Sequence, residues 1–533
     1  MATFRDPIRS LTFELPAGWA YDMLYSTLTD FFFARWDRPE EMLVIHLRRA
    51  GVEEDRPEGE WIEKIRSEVG EKAPLFDMDS PNGRVVAADF VSDQGMTQRV
   101  AFLRGAHVDI AVEQRNADMG KPGPWETLDK AIKSVVSAAN QPQSGDTSPA
   151  EFNKTVEAAN KAFEKKDYNR VVDALNDAIH IGTSAWLSSM AAPSGSPEIH
   201  AAVRVAQAMV HLGRFNGDPF LTRDAALISR RSLCSLEAAG KATVEAAQGL
   251  VDELKEILGS IESELLENSD QGVSQDSAPI ISIRERGFRL TQAGAMAFEA
   301  ADLESAAGYA EAAVQDFLFL LTYFRRGRSQ QIPDEILKHL VDQGIEDHEE
   351  QRDAIQKARE GVLFPALNLS LQIRYCCAME MKDPDSATEA AELLIPLARQ
   401  IADSMPGDTS IELNLVLALM DATGVLAIKR EKEKLQDGVK YLEEAAQILD
   451  ETGDKQCQDD GWVRTHEQQI DKSLQALTQW LVEVEKSGES DLKAGLQSLL
   501  SNFEAAAGRL KAKIKKSEKT TTDGTNAPVT DEK

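Results

Sequence analysis

The sequence predicts a multidomain protein. An α+β domain with an antiparallel sheet and flanking helices occupies residues 1–139, and a linker follows at 140–150. An all-α helical-repeat solenoid covers 151–516, and a disordered tail ends the chain at 517–533. Three observations predict this order. At 533 residues the chain is too long for one ordinary hydrophobic core. Its first part holds four of the seven tryptophans (Trp19, Trp36, Trp61 and Trp125) among alternating and β-branched runs. Beyond about residue 150, Ala, Leu, Glu, Gln and Lys dominate, and helical periodicity continues to about Lys516.

The elements of the first domain follow in order. Leu11, Phe13 and Leu15 alternate with Thr12 and Glu14, the period-2 pattern of a half-buried strand. Phe31–Trp36, Met42–Arg48, Gly83–Ser92, Thr97–Arg104 and His107–Arg115 also read as strands. The turn signals between the last three are short, which predicts an antiparallel meander. One helix is expected at Glu58–Glu71, with Trp61, Ile62, Ile65 and Val69 on one face. A second is expected at Pro124–Ala139, carried by Trp125, Leu128, Ile132 and Val136. The order is therefore β-β-β-α-β-β-β-α. The tryptophans read as core packing, since large aromatics dominate small cores. The alternative is that one or two line a concave sheet face that receives a partner.

The opening Phe13-Glu14-Leu15-Pro16-Ala17-Gly18-Trp19, and a final helix begun by Trp125 after three strands, resemble the Mog1/PsbP-like fold. Bacterial DcrB-like proteins and chaperones of type VI secretion effectors share that opening. The resemblance covers about a quarter of the chain. It implies a binding module and carries no shared catalytic residues.

Asn140–Ala150 is polar and rich in Pro, Ser and Gly, which reads as a linker. Beyond it, Ala158–Ile179 resembles a tetratricopeptide (TPR) unit. Ala159 takes the small position where two helices touch, Phe163 packs beside it, Asp167-Tyr168 forms the turn, and Ala178 is the small residue of the second helix. Val171 stands where that family usually has Ala. Ala293–Val314 matches at the same offsets through Gly294, Phe298, Asp302, Leu303, Ala306 and Ala313. Tyr375–Leu394 keeps Asp383 and Ala387, and Lys434–Leu449 reads as a second helix alone. Small residues let paired helices approach, and several pairs must stack to bury a continuous face. Trp186–Pro197 and Asn268–Pro279 read as loops between degenerate repeats.

Composition narrows the function. The net charge of −30 disfavours broad nucleic-acid binding. Four cysteines suit a reducing compartment, and Cys376-Cys377 read as buried small hydrophobes. The N-terminus lacks a signal-peptide pattern. The apolar run Phe317–Phe324 is far too short to span a bilayer, and Glu412 and Asp421 interrupt Ile411–Ile428. The expected location is cytoplasmic. Phe317–Phe324 with the following Arg325, Arg326 and Arg328 reads as a helix buried in the superhelix, against a membrane-surface alternative. The basic stretch Arg509–Lys519 reads as cations at the last turns of a final helix. His348 and His466 lack the second His of a zinc-protease helix, and Gly240-Lys241 lacks the rest of a phosphate loop. No catalytic, cofactor-binding or metal-ligating residues are assigned, and no cofactor is expected.

These readings point to a non-enzymatic adaptor or scaffold, chaperone-like and acidic, that binds protein partners with basic or amphipathic segments. One alternative is a chaperone of secreted effectors of the type VI kind. A second is an enzyme with a cryptic interdomain site.

Overall fold

The computed structural model describes residues 2–6, 11–49, 57–70, 73–91, 96–105, 108–119, 125–137, 140, 148–190, 195–267, 277–326, 338, 340–342, 344–404, 409–430, 432–452, 460–487 and 490–524. It contains an N-terminal α+β region followed by an all-α region. Contacts divide the chain into two compact units, Met1–Ala293 with Ala312–Gln356 and Gly294–Glu311 with Lys357–Lys533.

In the first unit, strands β1 (Ala2–Arg5), β2 (Leu11–Leu15), β3 (Trp19–Tyr21), β4 (Asp30–Arg35) and β5 (Met42–Arg49) come first. Helix α1 (Glu58–Val69) follows, then β6 (Leu75–Met78), β7 (Val85–Val91), β8 (Met96–Leu103) and β9 (Val108–Met119). Helix α2 (Glu126–Ser134) and β10 (Val136–Ser137) close the region. Seven strands form one sheet in the order β3-β4-β5-β9-β8-β7-β6, and β1-β2-β10 form a second. Every pairing is antiparallel, and β7, β8 and β9 make the expected meander.

Side-chain alternation sets the layers. Val86, Val100, Phe102 and Ala111 share one face of the large sheet and receive Trp61 and Ile65 of α1. The opposite face carries Gln114, whose Oε1 accepts from the Leu128 backbone N–H of α2 at 2.9 Å. It also carries Phe31 and Phe33. Phe4 of β1 meets both rings, at 6.2 and 5.0 Å, and Phe13 of β2 meets Phe33 at 5.3 Å. All four tryptophans of the region are buried, so they are core.

The strand count exceeds the expected order. β1, β3, β6 and β10 are too short to show a period in sequence. The helix expected to Ala139 stops at Ser134, because Val136 and Ser137 pair with Thr12 and Leu11 of β2.

The first unit continues with α3 (Pro149–Glu164), α4 (Tyr168–Met190), α5 (Gly195–Asn216), α6 (Pro219–Ala238), α7 (Lys241–Ala246) and α8 (Gln248–Leu266). Helices α3 to α6 pack each on the next, and α8 packs on α5 and α6. Ser148 and Asp218 cap α3 and α6 with their side chains, and Pro follows each cap at the first helical position. The segment Trp186–Pro197, expected as loop, is helical to Met190 and again from Gly195. Residues 268–276 of the other expected loop lie outside the described residues, as does 141–147 of the linker.

The contacts do not divide the chain at the linker. Leu28, in the β3–β4 loop, belongs to the same core cluster as Ala206 of α5, Ile228 of α6 and Leu254 of α8. Arg231 of α6 is fully buried beneath this loop. It pairs with Asp6, donates to the carbonyls of Thr27 (3.0 Å) and Leu28 (3.4 Å), and lies 4.5 Å over the Phe31 ring.

Helices α9 (Ala278–Glu299) and α10 (Leu303–Arg326) contribute residues to both units. Within the first unit, Phe317–Leu321 and Phe324 of α10 are buried, which agrees with the buried-helix reading of this run. Arg325 donates to the carbonyl of Trp36 (2.8 Å), and Arg326 to that of Pro39 (3.0 Å), so both arginines serve internal contacts.

The second unit holds α11 (His348–Glu380) from Lys357 onward, α12 (Pro384–Ser404), α13 (Thr409–Lys429), α14 (Lys432–Thr452), α15 (Asp460–Ser487) and α16 (Ser490–Gly524). Helix α12 packs on α13, α13 on α14 and α15, and α16 on α14 and α15. Helices α11 and α13 are long and apolar enough to cross a membrane by length and composition, but 56% and 61% of those stretches are buried in the fold. The tail begins later than expected. Helix α16 runs to Gly524, and 525–533 lie outside the described residues.

Candidate functional site

The helical hairpins repeat one local structure. Between α3 and α4, Lys166 adopts φ +57°. Ala301 (+59°) stands at the same place between α9 and α10, Lys382 (+60°) between α11 and α12, and Arg430 (+62°) between α13 and α14. Non-glycine residues rarely adopt this left-handed conformation, so four occurrences at the same point of a hairpin mark a repeated turn. In the first three, an aspartate follows. The backbone N–H groups of Asp167, Asp302 and Asp383 donate five residues back, to Ala162, Ala297 and Ala378. Their carbonyls accept from Val171, Ala306 and Ala387. Each aspartate side chain then accepts from the N–H three residues on: Arg170 (3.4 Å), Ser305 (3.2 Å) and Ser386 (3.1 Å). One residue thus closes one helix and caps the next.

The expected packing residues fall around these turns. Ala159 and Ala178 are buried on α3 and α4, and Ala306 and Ala313 on α10. A Cβ on Gly294 would sit 3.5 Å from the Ala306 carbonyl oxygen, the Ala310 nitrogen and the Tyr309 Cβ. Phe298 is half-buried and packs on the cluster of Ala306, Ala310, Ile373 and Cys377. Of the two cysteines, Cys377 is buried and Cys376 half-buried, and burial pushes the Cys376 thiol up to about 12.

Phe163 departs from expectation. It is 56% exposed, and Ala162 takes the buried place beside Ala159. Phe163 stands in the last turn of α3 next to Ala162, which takes the side that packs on Val171 and Leu175 of α4. There its ring meets Tyr168 at 6.0 Å, edge-on, and Tyr168 meets Phe215 of α5 at 5.0 Å. Tyr168 is 44% and Phe215 37% exposed. Three aromatic rings from three helices therefore form one exposed apolar patch at a hairpin end. Phe215 lies outside the repeat pattern, so sequence spacing gives no sign that it joins the other two.

Titratable groups cluster elsewhere. In the first unit Asp316 is fully buried and accepts from Arg223 Nε (2.9 Å) and Arg286 Nε (2.7 Å). Burial pushes the neighbouring Asp224 carboxyl up to about 7, against the pull of Arg223. Arg231–Asp6 joins α6 to the sheet region, whereas Arg223, Arg286 and Asp316 join α6, α9 and α10 to one another, and together they form a buried layer of paired charges. On the large sheet, His46 Nδ1 lies 2.6 Å from Asp30 Oδ1, and Nε2 lies 3.9 Å from Glu113 Oε2. In the second unit Arg374 pairs with Glu389 (2.5 Å) and Glu311 (2.8 Å), and burial pushes Glu389 up to about 7. Among the described residues, no group of three or more His, Cys, Asp or Glu is placed to hold a metal ion.

The fold is therefore an antiparallel α+β region followed by a helical, repeat-like body. No protein-family profile matches the chain. No curated protein matches it either. Among solved structures, one from Bacteroides thetaiotaomicron VPI-5482 is similar over 40% of this chain and 77% of its own, at 11% identity and a TM-score of 0.20. A circular tandem repeat protein with novel repeat topology and enhanced subunit contact surfaces is similar over 69% of this chain and 98% of its own, at 15% identity and a TM-score of 0.22. At these scores neither assigns a family.

Proposed function

We propose that the protein is a cytoplasmic adaptor or scaffold, and that its helical body holds protein partners. The observation that carries this reading is the exposed Phe163–Tyr168–Phe215 patch. Clustered, accessible aromatic rings on a rigid helical frame are the usual anchors of protein interfaces. The repeated turns support a tetratricopeptide-like origin for the hairpins, and the opening Phe13–Trp19 supports a Mog1/PsbP-like origin for the sheet region. On this reading the buried arginine–carboxylate pairs hold structure, because their charges are matched within the fold.

The test is site-specific photo-crosslinking in the cells that make the protein. A photoreactive phenylalanine at Phe163 or Phe215 is expected to join a defined protein partner. The same probe at Tyr25, exposed in the β3–β4 loop, serves as a control. Equal or absent crosslinking at all three positions would refute the reading. A chaperone of secreted effectors would instead crosslink through the sheet region.

A further inference from the structure

Both ring nitrogens of His46, on β5, face carboxylates of the neighbouring strands. Nδ1 lies 2.6 Å from Asp30 Oδ1 on β4, and Nε2 lies 3.9 Å from Glu113 Oε2 on β9. The other charged groups described on this face have partners of their own. Arg115 Nε donates to Glu113 at 2.6 Å, Arg48 pairs with Glu68 of α1 at 3.1 Å, and Asp109 accepts from the Gly105 N–H at 3.1 Å. An imidazolium carries a proton on each nitrogen and serves both carboxylates. A neutral imidazole carries one, so it turns a lone pair toward either Asp30 or Glu113. His46 is half-buried, so its proton exchanges with solvent. Burial pulls its pKa down, but Asp30 and then Glu113 outweigh this and hold it above 6.5.

Asp30 also shapes the end of the β3–β4 loop. Its Oδ2 accepts from the hydroxyls of Thr27 and Thr29, each at 3.0 Å. The Thr27 hydroxyl oxygen in turn accepts from the backbone N–H groups of Thr29 (3.2 Å) and Asp30 (2.9 Å). These bonds set the Thr27–Asp30 turn, and this turn meets the helices. The carbonyls of Thr27 and Leu28 accept from Arg231 of α6, and the Leu28 N–H donates to Ser235 Oγ of α6 at 2.9 Å. The Leu28 side chain enters the core of α5, α6 and α8. Hydrogen bonds therefore run without a break from His46, through Asp30 and the turn, to α6.

We infer that His46 is a proton-operated clamp on this loop: the imidazolium holds Asp30 and the Thr27–Asp30 turn against α6, and loss of the proton loosens the turn. If the remaining proton stays on Nδ1, Asp30 keeps a hydrogen bond but loses the opposite charge. If it stays on Nε2, a lone pair faces Asp30. Charge-assisted hydrogen bonds are about twice as strong as neutral ones, so both outcomes weaken the hold. A raised folded-state value gives stability that is full below the unfolded value and is lost as pH rises through the folded one. The loop therefore opens more readily toward alkaline pH. Leu28 and Arg231 keep their own contacts, so the response is a local opening of the loop and not a release of the sheet region.

The test is hydrogen–deuterium exchange of the full chain, read by mass spectrometry on peptides spanning Leu24–Phe32 and corrected for the intrinsic pH dependence of exchange. Between about pH 6 and about pH 8 the native loop is expected to lose about threefold or more of its protection, while peptides from α8 keep theirs. His46→Gln is expected to abolish this pH dependence. Asp30→Asn is expected to exchange fast at every pH. Glu113→Gln removes one carboxylate but leaves Asp30, and is expected to move the loss to lower pH. The inference is overturned if native loop protection does not change with pH, if His46→Gln retains the native pH dependence, or if α8 loses protection in step with the loop. Should His46→Gln fail to fold, Glu113→Gln makes the same comparison, and an unmoved pH profile in that variant overturns the inference.

Discussion

Arg231→Ala tests how the sheet region is fixed to the helices. The native guanidinium is fully buried, and it serves the Asp6 carboxylate, two carbonyls and the Phe31 ring face. Burial disfavours its charge, but Asp6 more than offsets this, and the net effect holds its pKa above the ordinary value. Truncation takes the cation away from a carboxylate that is itself only 1% exposed. Breaking a buried pair from one side costs about 3–5 kcal/mol. The assay is urea denaturation followed by far-ultraviolet circular dichroism, with calorimetry to separate transitions. The transition that carries the sheet region is expected to fall by that amount. Arg231→Met with Asp6→Asn is expected to recover most of the loss, because an apolar replacement removes the unmatched charge. A single-variant loss below about 1 kcal/mol would show that Arg231 is solvated, which would refute the buried-layer argument.

Further outcomes are expected at Gly294, Gly287 and His46. Gly294→Ala places its Cβ at ordinary contact distance, 3.5 Å from its neighbours, so it is expected to be neutral or to stabilise by up to about 1 kcal/mol. Gly294→Leu is expected to overpack the helix contact and cost about 1–3 kcal/mol in the same denaturation assay. Gly287→Ala is expected to behave oppositely to Gly294→Ala, because its Cβ would lie 2.8 Å from the fully buried Phe317 ring and force it to move. For His46, burial pulls the imidazole down, but Asp30 and then Glu113 outweigh it and hold its pKa above 6.5. A raised folded-state value stabilises fully below the unfolded value and is lost as pH rises through the folded value. The stability gap between the native chain and His46→Gln is therefore expected to be widest below about pH 6.5 and to close toward alkaline pH. A gap that stays constant with pH would contradict the imidazolium pair.

Much of the fold is legible in the residues. The alternation in Leu11–Leu15 and the closely spaced runs before Arg115 predict strands that the structure contains. The short strands at Trp19–Tyr21 and Leu75–Met78 are not legible, because three or four residues cannot display a period. The coupling of sheet and helices is hidden for a related reason. Leu28 and Arg231 lie far apart in sequence, and nothing local in either marks the contact. The aspartates Asp167, Asp302 and Asp383 are visible as turn residues. The left-handed residue before each is Lys, Ala or Lys, which sequence does not distinguish from ordinary helix. At the aromatic patch, Phe163 reads as a packing residue because its offset matches the repeat. Only the geometry of the helix end shows that it faces outward with Tyr168 and Phe215.

The most direct test of the central claim is photo-crosslinking from Tyr168 in the intact protein within its own cells, followed by mass spectrometry of the joined peptide. The account expects one partner segment, joined at Tyr168 and lost when Phe163 and Phe215 are replaced by Ser. A chain that forms no protein adduct at Tyr168, yet crosslinks unchanged elsewhere after those replacements, would contradict it.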